Sequence, residues 1–205
     1  MPDDTRPRPL SRAAIGFTVK SGWACAVLLT GSAAAPRVVD SQRLDLSDPD
    51  NPESRQPYHA GFGTARDSCP ERTRLVSSVK RFGRQSMTRA LQKHRAAGHA
   101  LSGAGIVVGS LIEPESIAND HIRIHALEGQ LFRGIVHDAL ARHDVPSAVW
   151  RERDLYGAAV ETLGQEEPAL RRALAAFGQD MHGPWRAEQK LAALAAWLVL
   201  AGRAR

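Results

Sequence analysis

Apolar residues fall into two kinds of run along this chain. Ile15–Val19 and Trp23–Leu29 are short and almost continuously apolar, broken at Lys20-Ser21-Gly22, whereas Arg37–Leu46 alternates apolar with polar positions. Continuous short runs suit strands buried on both faces, and alternation suits a strand with one face exposed. Together they predict an antiparallel meander that turns at Gly31–Pro36. Leu101–Ile112 predicts a further buried strand, stopped by Glu113-Pro114. Helical spacing appears over Glu71–Ala97, where Leu75, Val79, Phe82 and Leu91 supply the apolar face, Gly98 a stop, and Gly83 a point at which the helix would bend or divide. A second helix is predicted over Ile122–Arg142. After the break at Asp144-Val145-Pro146 come a short strand, Ala148–Glu152, and helices over Tyr156–Leu163, Pro168–Phe177 and Pro184–Leu200. Proline, with its fixed φ and missing N–H, suits the first turn of the last helix.

Two segments stand outside this pattern. Met1–Arg12 is polar and proline-containing and reads as a loose tail, leaving residues 13–205 as one domain. Ser47–Pro70 holds Pro49, Pro52, Pro57 and Pro70 with Gly61 and Gly63, too many breakers for regular structure. Arg55, Tyr58 and His59 would reach a ligand from such a loop; alternatively the loop covers a sheet edge. The order of strands, helix, strand, helix, strand and then helices predicts an α/β (α+β) fold, a mixed sheet with helices on its faces. No internal repeat is present.

Composition adds little that is specific. The 205 residues, 43% of them apolar, suffice for one substantial core. Cys25 and Cys69 match no metal or redox spacing and form a poor disulfide framework, which favours a reducing, cytoplasmic setting. Trp23–Leu29 followed by Ala33-Ala34-Ala35 imitates an export signal, but the leader before it is long and already contains a strand-like run. Leu191–Ala201 falls short of the roughly 20 apolar residues that span a bilayer, so no membrane partner is expected. Trp185 and Trp197 read as packing anchors. The net charge of +5 and a sequence pI near 9.8 suit a polyanionic partner, although arginine preference can also reflect genome base composition. A Gly-rich phosphate loop and a nucleophile elbow are both missing from the sequence.

The candidate chemistry centres on the second helix. His121, His125 and Glu128 are spaced i, i+4, i+7 and fall within roughly 60° of one another at about 100° per residue. With Glu113 at the end of the preceding strand, they form a candidate nitrogen–oxygen site for a divalent metal, suiting Zn²⁺, Mn²⁺ or Fe²⁺ better than Mg²⁺. Glu113, Glu128 and His125 are the candidate catalytic groups. Glu128 lies within the apolar stripe of Ile124, Leu127, Leu131, Phe132 and Ile135, where a carboxylate needs a partner. Arginine is the expected one, from among Arg123, Arg133, Arg151, Arg153 and Arg186. His125 has the plainer reading of a satisfied core or cleft histidine. The first helix carries Arg72, Arg74, Lys80, Arg81, Arg84, Arg89, Lys93 and Arg95. Arg74, Lys80, Arg81 and Arg84 are the candidate nucleic-acid contacts, although the cations spread over more than half the helix and also suit a solvated surface. With aromatic residues at 5%, backbone contact to a duplex is favoured over stacking with single-stranded bases.

In element order the chain resembles the ribonuclease-H-like fold, and within it the RuvC-type Holliday-junction resolvases. Ile15–Leu46 would be the opening meander, Gly105–Glu113 the fourth strand, His121–Arg142 the next helix, Ala148–Glu152 the fifth strand and Arg186–Leu200 the closing helix. The resemblance implies a five-stranded mixed sheet and two-metal phosphodiester cleavage, with acids on the first strand, at the end of the fourth and on later helices holding two Mg²⁺ ions. Glu113 matches the fourth-strand acid. Ile15–Leu29 contains no carboxylate, Lys20 stands where an acid is expected, and the closing helix offers only Glu188. Three readings follow: a ribonuclease-H-like domain with an incomplete metal centre, binding nucleic acid or a nucleic-acid-processing partner; a metal-dependent hydrolase using Glu113, His121, His125 and Glu128; and a non-catalytic protein-interaction scaffold.

Overall fold

The computed structural model describes residues 11–60, 70–179 and 181–203; the tail up to Leu10, together with Gly61, Gly63 and Cys69, lies outside that set. The chain begins with a meander of β1 (Ser11–Lys20), β2 (Trp23–Ser32) and β3 (Ala35–Asp45). Helix α1 (Pro70–Ala96), strand β4 (His99–Val108), helix α2 (Asp120–Arg142) and strand β5 (Ser147–Arg151) follow. Helices α3 (Leu155–Leu163), α4 (Glu167–Ala176) and α5 (Ala187–Leu200) complete it. The five strands form one sheet in the order β3-β2-β1-β4-β5, antiparallel within the meander and parallel from β1 to β4 and from β4 to β5. The expected mixed five-stranded sheet flanked by helices is what the chain forms.

Both faces of the central strands are covered, which is why their sequences read as continuous apolar runs. Ile15, Phe17 and Val19 of β1, with Ala104, Ile106 and Val108 of β4, pack against α1 and α2. Ala14, Cys25, Val27, Leu29 and Val107 point the other way, into α3, α4 and α5. Residues Leu191–Leu200 of α5 are all buried, since the helix lies between the sheet and α3 with α4. Gly16 and Gly105 make this possible. A Cβ at Gly16 would stand 1.8 Å from the Ala192 carbonyl oxygen, and one at Gly105 would stand 2.8 Å from Ala195. No helix among the described residues is long and apolar enough to cross a membrane.

Four sequence expectations change. β1 begins at Ser11, because Ser11 and Arg12 already pair with His99 and Ala100 of β4. β4 ends at Val108 rather than Ile112: its last partners are Thr18 of β1, opposite Val107, and Arg151 of β5, and beyond them Leu111 and Ile112 are exposed. Helix α1 runs through Gly83 without a break. The glycine is there for contact, since a Cβ would come within 2.7 Å of Ile135 on α2 and 2.9 Å of the Leu46 carbonyl. α5 begins at Ala187 and not at Pro184; Gln189 Oε1 accepts the Arg186 amide at 2.9 Å and closes that end. Trp185 and Trp197 anchor packing as expected, donating to the carbonyls of Leu174 and Ala33 at 2.6 and 2.8 Å. Burial, and then the Glu188 carboxylate, push the Cys25 thiol up to about 12, so it stays protonated as a core residue.

Candidate functional site

The described part of the loop after β3 runs over residues 46–60. It folds onto the β1–β2 turn, where the Gly22 carbonyl accepts the amides of Leu46 and Ser47 at 2.8 and 3.1 Å. A short 3-10 turn, Pro52–Arg55, is pinned by the buried Ser54, whose hydroxyl donates to the carbonyls of Asn51 (2.6 Å) and Asp48 (3.1 Å). Pro57 is buried next, Tyr58 packs on the core, and the chain then delivers His59 to the flank of α2.

Helix α2 starts cleanly at that flank. Asn119 caps it, accepting the Ile122 amide at 3.1 Å, and its first two turns present His121 and His125. Potential ligand nitrogens of His59, His121 and His125 all lie within 4.8 Å of one another. The ring centroids of His59 and His125 are 4.8 Å apart, those of His121 and His125 4.6 Å, and those of His59 and His121 6.3 Å. His121 and His125 are exposed, and the side chain of His59 is 9% exposed.

Glu128 stands one turn further along α2 and is fully buried. Its partner is His59, with Oε1 2.7 Å from Nδ1; among the described residues no arginine pairs with it, contrary to expectation. Its second oxygen, Oε2, is buried without a hydrogen-bond partner. Burial raises the Glu128 pKa, and the His59 ring and Tyr58 backbone pull against that rise. Partial desolvation, then the charges of His59 and His121, lower that of His125 and favour its neutral, ligating form. The structure thus brings His121 and His125 together and sets Glu128 behind them. Glu113 is not among them: it is exposed, five residues past the end of β4, with Oε2 3.3 Å from the Gln130 amide. His59, singled out in the sequence only as a loop residue, completes the group in its place.

Arg74, Lys80, Arg81 and Arg84 are all exposed on α1. Lys80 and Arg84 line a groove between α1 and α2 of about 250 Å³, together with Tyr58, Gln130, Ile135 and Asp138. Arg74 and Arg81 do not line it. A second cleft, about 320 Å³, runs from the ends of β1 and β4 to α2 and is walled by Val19, Ile112, Ile117, Ile122 and His125.

No protein-family model matches the chain, and no curated protein matches it significantly. Among solved structures it is similar to RuvC of Thermus thermophilus, with a TM-score of 0.54 at 11% identity over 93% of this chain and 95% of that one. The T. thermophilus RuvC complex with a Holliday junction substrate matches with the same TM-score and identity, over 94% and 95%. The chain has the ribonuclease-H-like, RuvC-type fold. A yeast mitochondrial Holliday junction resolvase is also found, at a TM-score of 0.47 and 8% identity over 97% of this chain and 85% of that one.

Within the RuvC-type fold, the carboxyl end of β1 is occupied by Thr18 and Lys20. The Thr18 hydroxyl donates to the Glu188 carbonyl of α5 at 2.9 Å, and Lys20 Nζ is 3.2 Å from Glu152 just past β5. The histidine group lies on the opposite side of the sheet from α5, with the helices that pack on the other core.

Proposed function

We propose that this chain is a RuvC-type nucleic-acid-binding domain with an incomplete Mg²⁺ centre, working within a nucleic-acid-processing assembly. The observation that carries the reading is the groove between α1 and α2, into which Lys80 and Arg84 project from a helix with further exposed arginines. With Lys80 and Arg84 set against Asp138, the groove carries a positive balance among the described residues that suits phosphate oxygens, and Tyr58, the one aromatic among those residues, favours contact with the backbone over base stacking. The similarity to a RuvC solved with a Holliday junction makes branched DNA the first probe to use.

The incomplete centre is argued from donor chemistry. A pair of Mg²⁺ ions asks for several carboxylate oxygens. β1 has no acid over Ser11–Lys20, and Lys20 at its end is engaged by Glu152. A first strand without a carboxylate supports the reading that a two-Mg²⁺ centre is incomplete here.

Binding of labelled four-way junction and duplex DNA, read by fluorescence anisotropy over a range of salt, tests the reading. Dissociation constants in the range of about 10⁻⁴–10⁻⁶ M at physiological salt are expected, weakening steeply as salt rises. Lys80→Gln with Arg84→Gln should lower the slope of log K against log salt by about 1.8, at about 0.9 for each phosphate that is no longer neutralised. Mg²⁺ should produce no cleavage. Absence of salt-dependent binding would leave a protein-interaction scaffold. The convergence of three histidines favours a second reading, a transition-metal-dependent hydrolase, which requires turnover that His121→Ala abolishes.

A further inference from the structure

We infer that His59, His121 and His125 form an open three-histidine site for a zinc-class divalent ion, with Glu128 holding His59 in its ligating orientation. The site does not use the acids that the RuvC-type fold implies, and it lies on the other side of the sheet from α5.

Three observations meet here. The first is position. A Zn–N bond of about 2.0–2.1 Å in tetrahedral geometry places ligand nitrogens about 3.3 Å apart. The three histidines offer nitrogens within 4.8 Å, and two of the three rings are exposed on the first turns of α2, where small side-chain rotations close the remaining distance. The second is orientation. Glu128 Oε1 is 2.7 Å from His59 Nδ1; when Glu128 is ionised it only accepts, which pairs it with the tautomer that carries hydrogen on Nδ1 and leaves Nε2 a lone pair. A carboxylate behind a ligating histidine is a recurrent second layer of metal sites; it fixes the ring and raises its basicity. The third is charge. Glu128 is fully buried, its Oε2 has no donor, and among the described residues its only ion-pair partner is the His59 ring. A cation on the far side of that ring supplies the positive charge such a carboxylate requires.

The donor set selects the ion. Neutral imidazoles suit Zn²⁺, Co²⁺ or Ni²⁺, whereas Mg²⁺ and Ca²⁺ want oxygen. Three protein ligands leave one tetrahedral position for water or an anionic oxygen. Among the described residues no fourth ligand joins the three histidines, and His121 and His125 are exposed.

The test is titration of the tag-free full chain, stripped with chelator, with Zn²⁺ and Co²⁺ alone, followed by calorimetry, elemental analysis and the visible spectrum of bound Co²⁺. One ion per chain is expected, with a tetrahedral Co²⁺ spectrum. His121→Ala and His125→Ala, both at exposed positions, should each weaken binding at least about 100-fold while circular dichroism stays unchanged. Glu128→Gln should weaken it about 10–100-fold and keep the one-ion stoichiometry. Absence of stoichiometric binding, or equal affinity in His121→Ala and the parent chain, overturns the inference. Since this titration contains no nucleic acid, and DNA binding is also read on the metal-stripped chain, either proposal can fail without the other.

Discussion

His94 shows how much one buried side chain can decide. It is 3% exposed on α1, with Nε2 3.2 Å from the Gln42 amide nitrogen and 3.7 Å from Asp40 Oδ2. Gln42 donates there, so Nε2 must accept and the ring is neutral. Burial lowers its pKa; the Asp40 carboxylate opposes that shift, and the charges of Lys93 and His99 reinforce it. The unfolded chain therefore binds a proton more readily than the folded one once pH drops below about 6.5. Stability from this residue is complete above that value and is lost as pH falls toward the folded pKa, by at most about 1.4 kcal/mol per pH unit. Urea melts at pH 7 and pH 5 should show a larger acid loss for the parent chain than for His94→Gln; equal losses would remove His94 as the cause. The same scale marks where sequence reasoning stops. The i, i+4, i+7 spacing on α2 made His121, His125 and Glu128 legible as a group, because helical geometry is local. His59 was not legible as their partner, since it comes from a loop without periodicity, 69 positions before Glu128. Arginine was the natural expectation for a buried carboxylate, and only the path of the loop makes the partner a histidine.

At the scale of elements, the order of strands and helices was readable, and so was the burial of the central strands on both faces. The errors fall where a run of residues outlasts its partners or a local rule yields to a contact. Ile106–Ile112 is apolar apart from Ser110, yet pairing ends at Val108. Gly83 is weak in a helix by propensity, yet α1 continues because that position faces Ile135 and the Leu46 carbonyl. Gly16 and Gly105 set the approach of α5 in the same way, and single-chain periodicity gives no sign of it. Gly16→Ala should therefore destabilise the chain by about 3 kcal/mol or more, the upper end of overpacking, because the clash is with backbone that no rotamer change relieves. Ala14→Gly, at the neighbouring buried position on β1, provides a control for strand propensity with no clash. A Gly16→Ala loss no larger than that control would show that α5 can lift from the sheet at little cost.

Across the whole molecule, the cationic groove and the histidine group are neighbours. Tyr58 lines the groove and His59 is the next residue; Gln130, two positions after Glu128, lines both the groove and the apolar cleft that reaches His125. A divalent ion on the histidines would add positive charge near one end of the groove, and its pull on phosphates held by Lys80 and Arg84 would be screened over a Debye length of ~8 Å at physiological ionic strength. Two ligands that favour each other electrostatically are linked reciprocally: whatever factor the ion adds to DNA affinity, DNA adds to ion affinity. We expect saturating Zn²⁺ to tighten duplex binding about 3- to 10-fold at low salt, with the gain shrinking as salt rises. His121→Ala should bind DNA as the metal-stripped parent chain does, with or without Zn²⁺. Lys80→Gln with Arg84→Gln should still bind Zn²⁺ once per chain while losing most of the DNA affinity. If Zn²⁺ leaves DNA affinity unchanged although it binds stoichiometrically, the two sites are independent and the ion serves to clamp the loop carrying His59 to α2. Ion binding itself has a signature that holds in either outcome. The ion at 100 times its dissociation constant would still add about 2.7 kcal/mol to global stability, read as a rise in the unfolding midpoint that His121→Ala lacks.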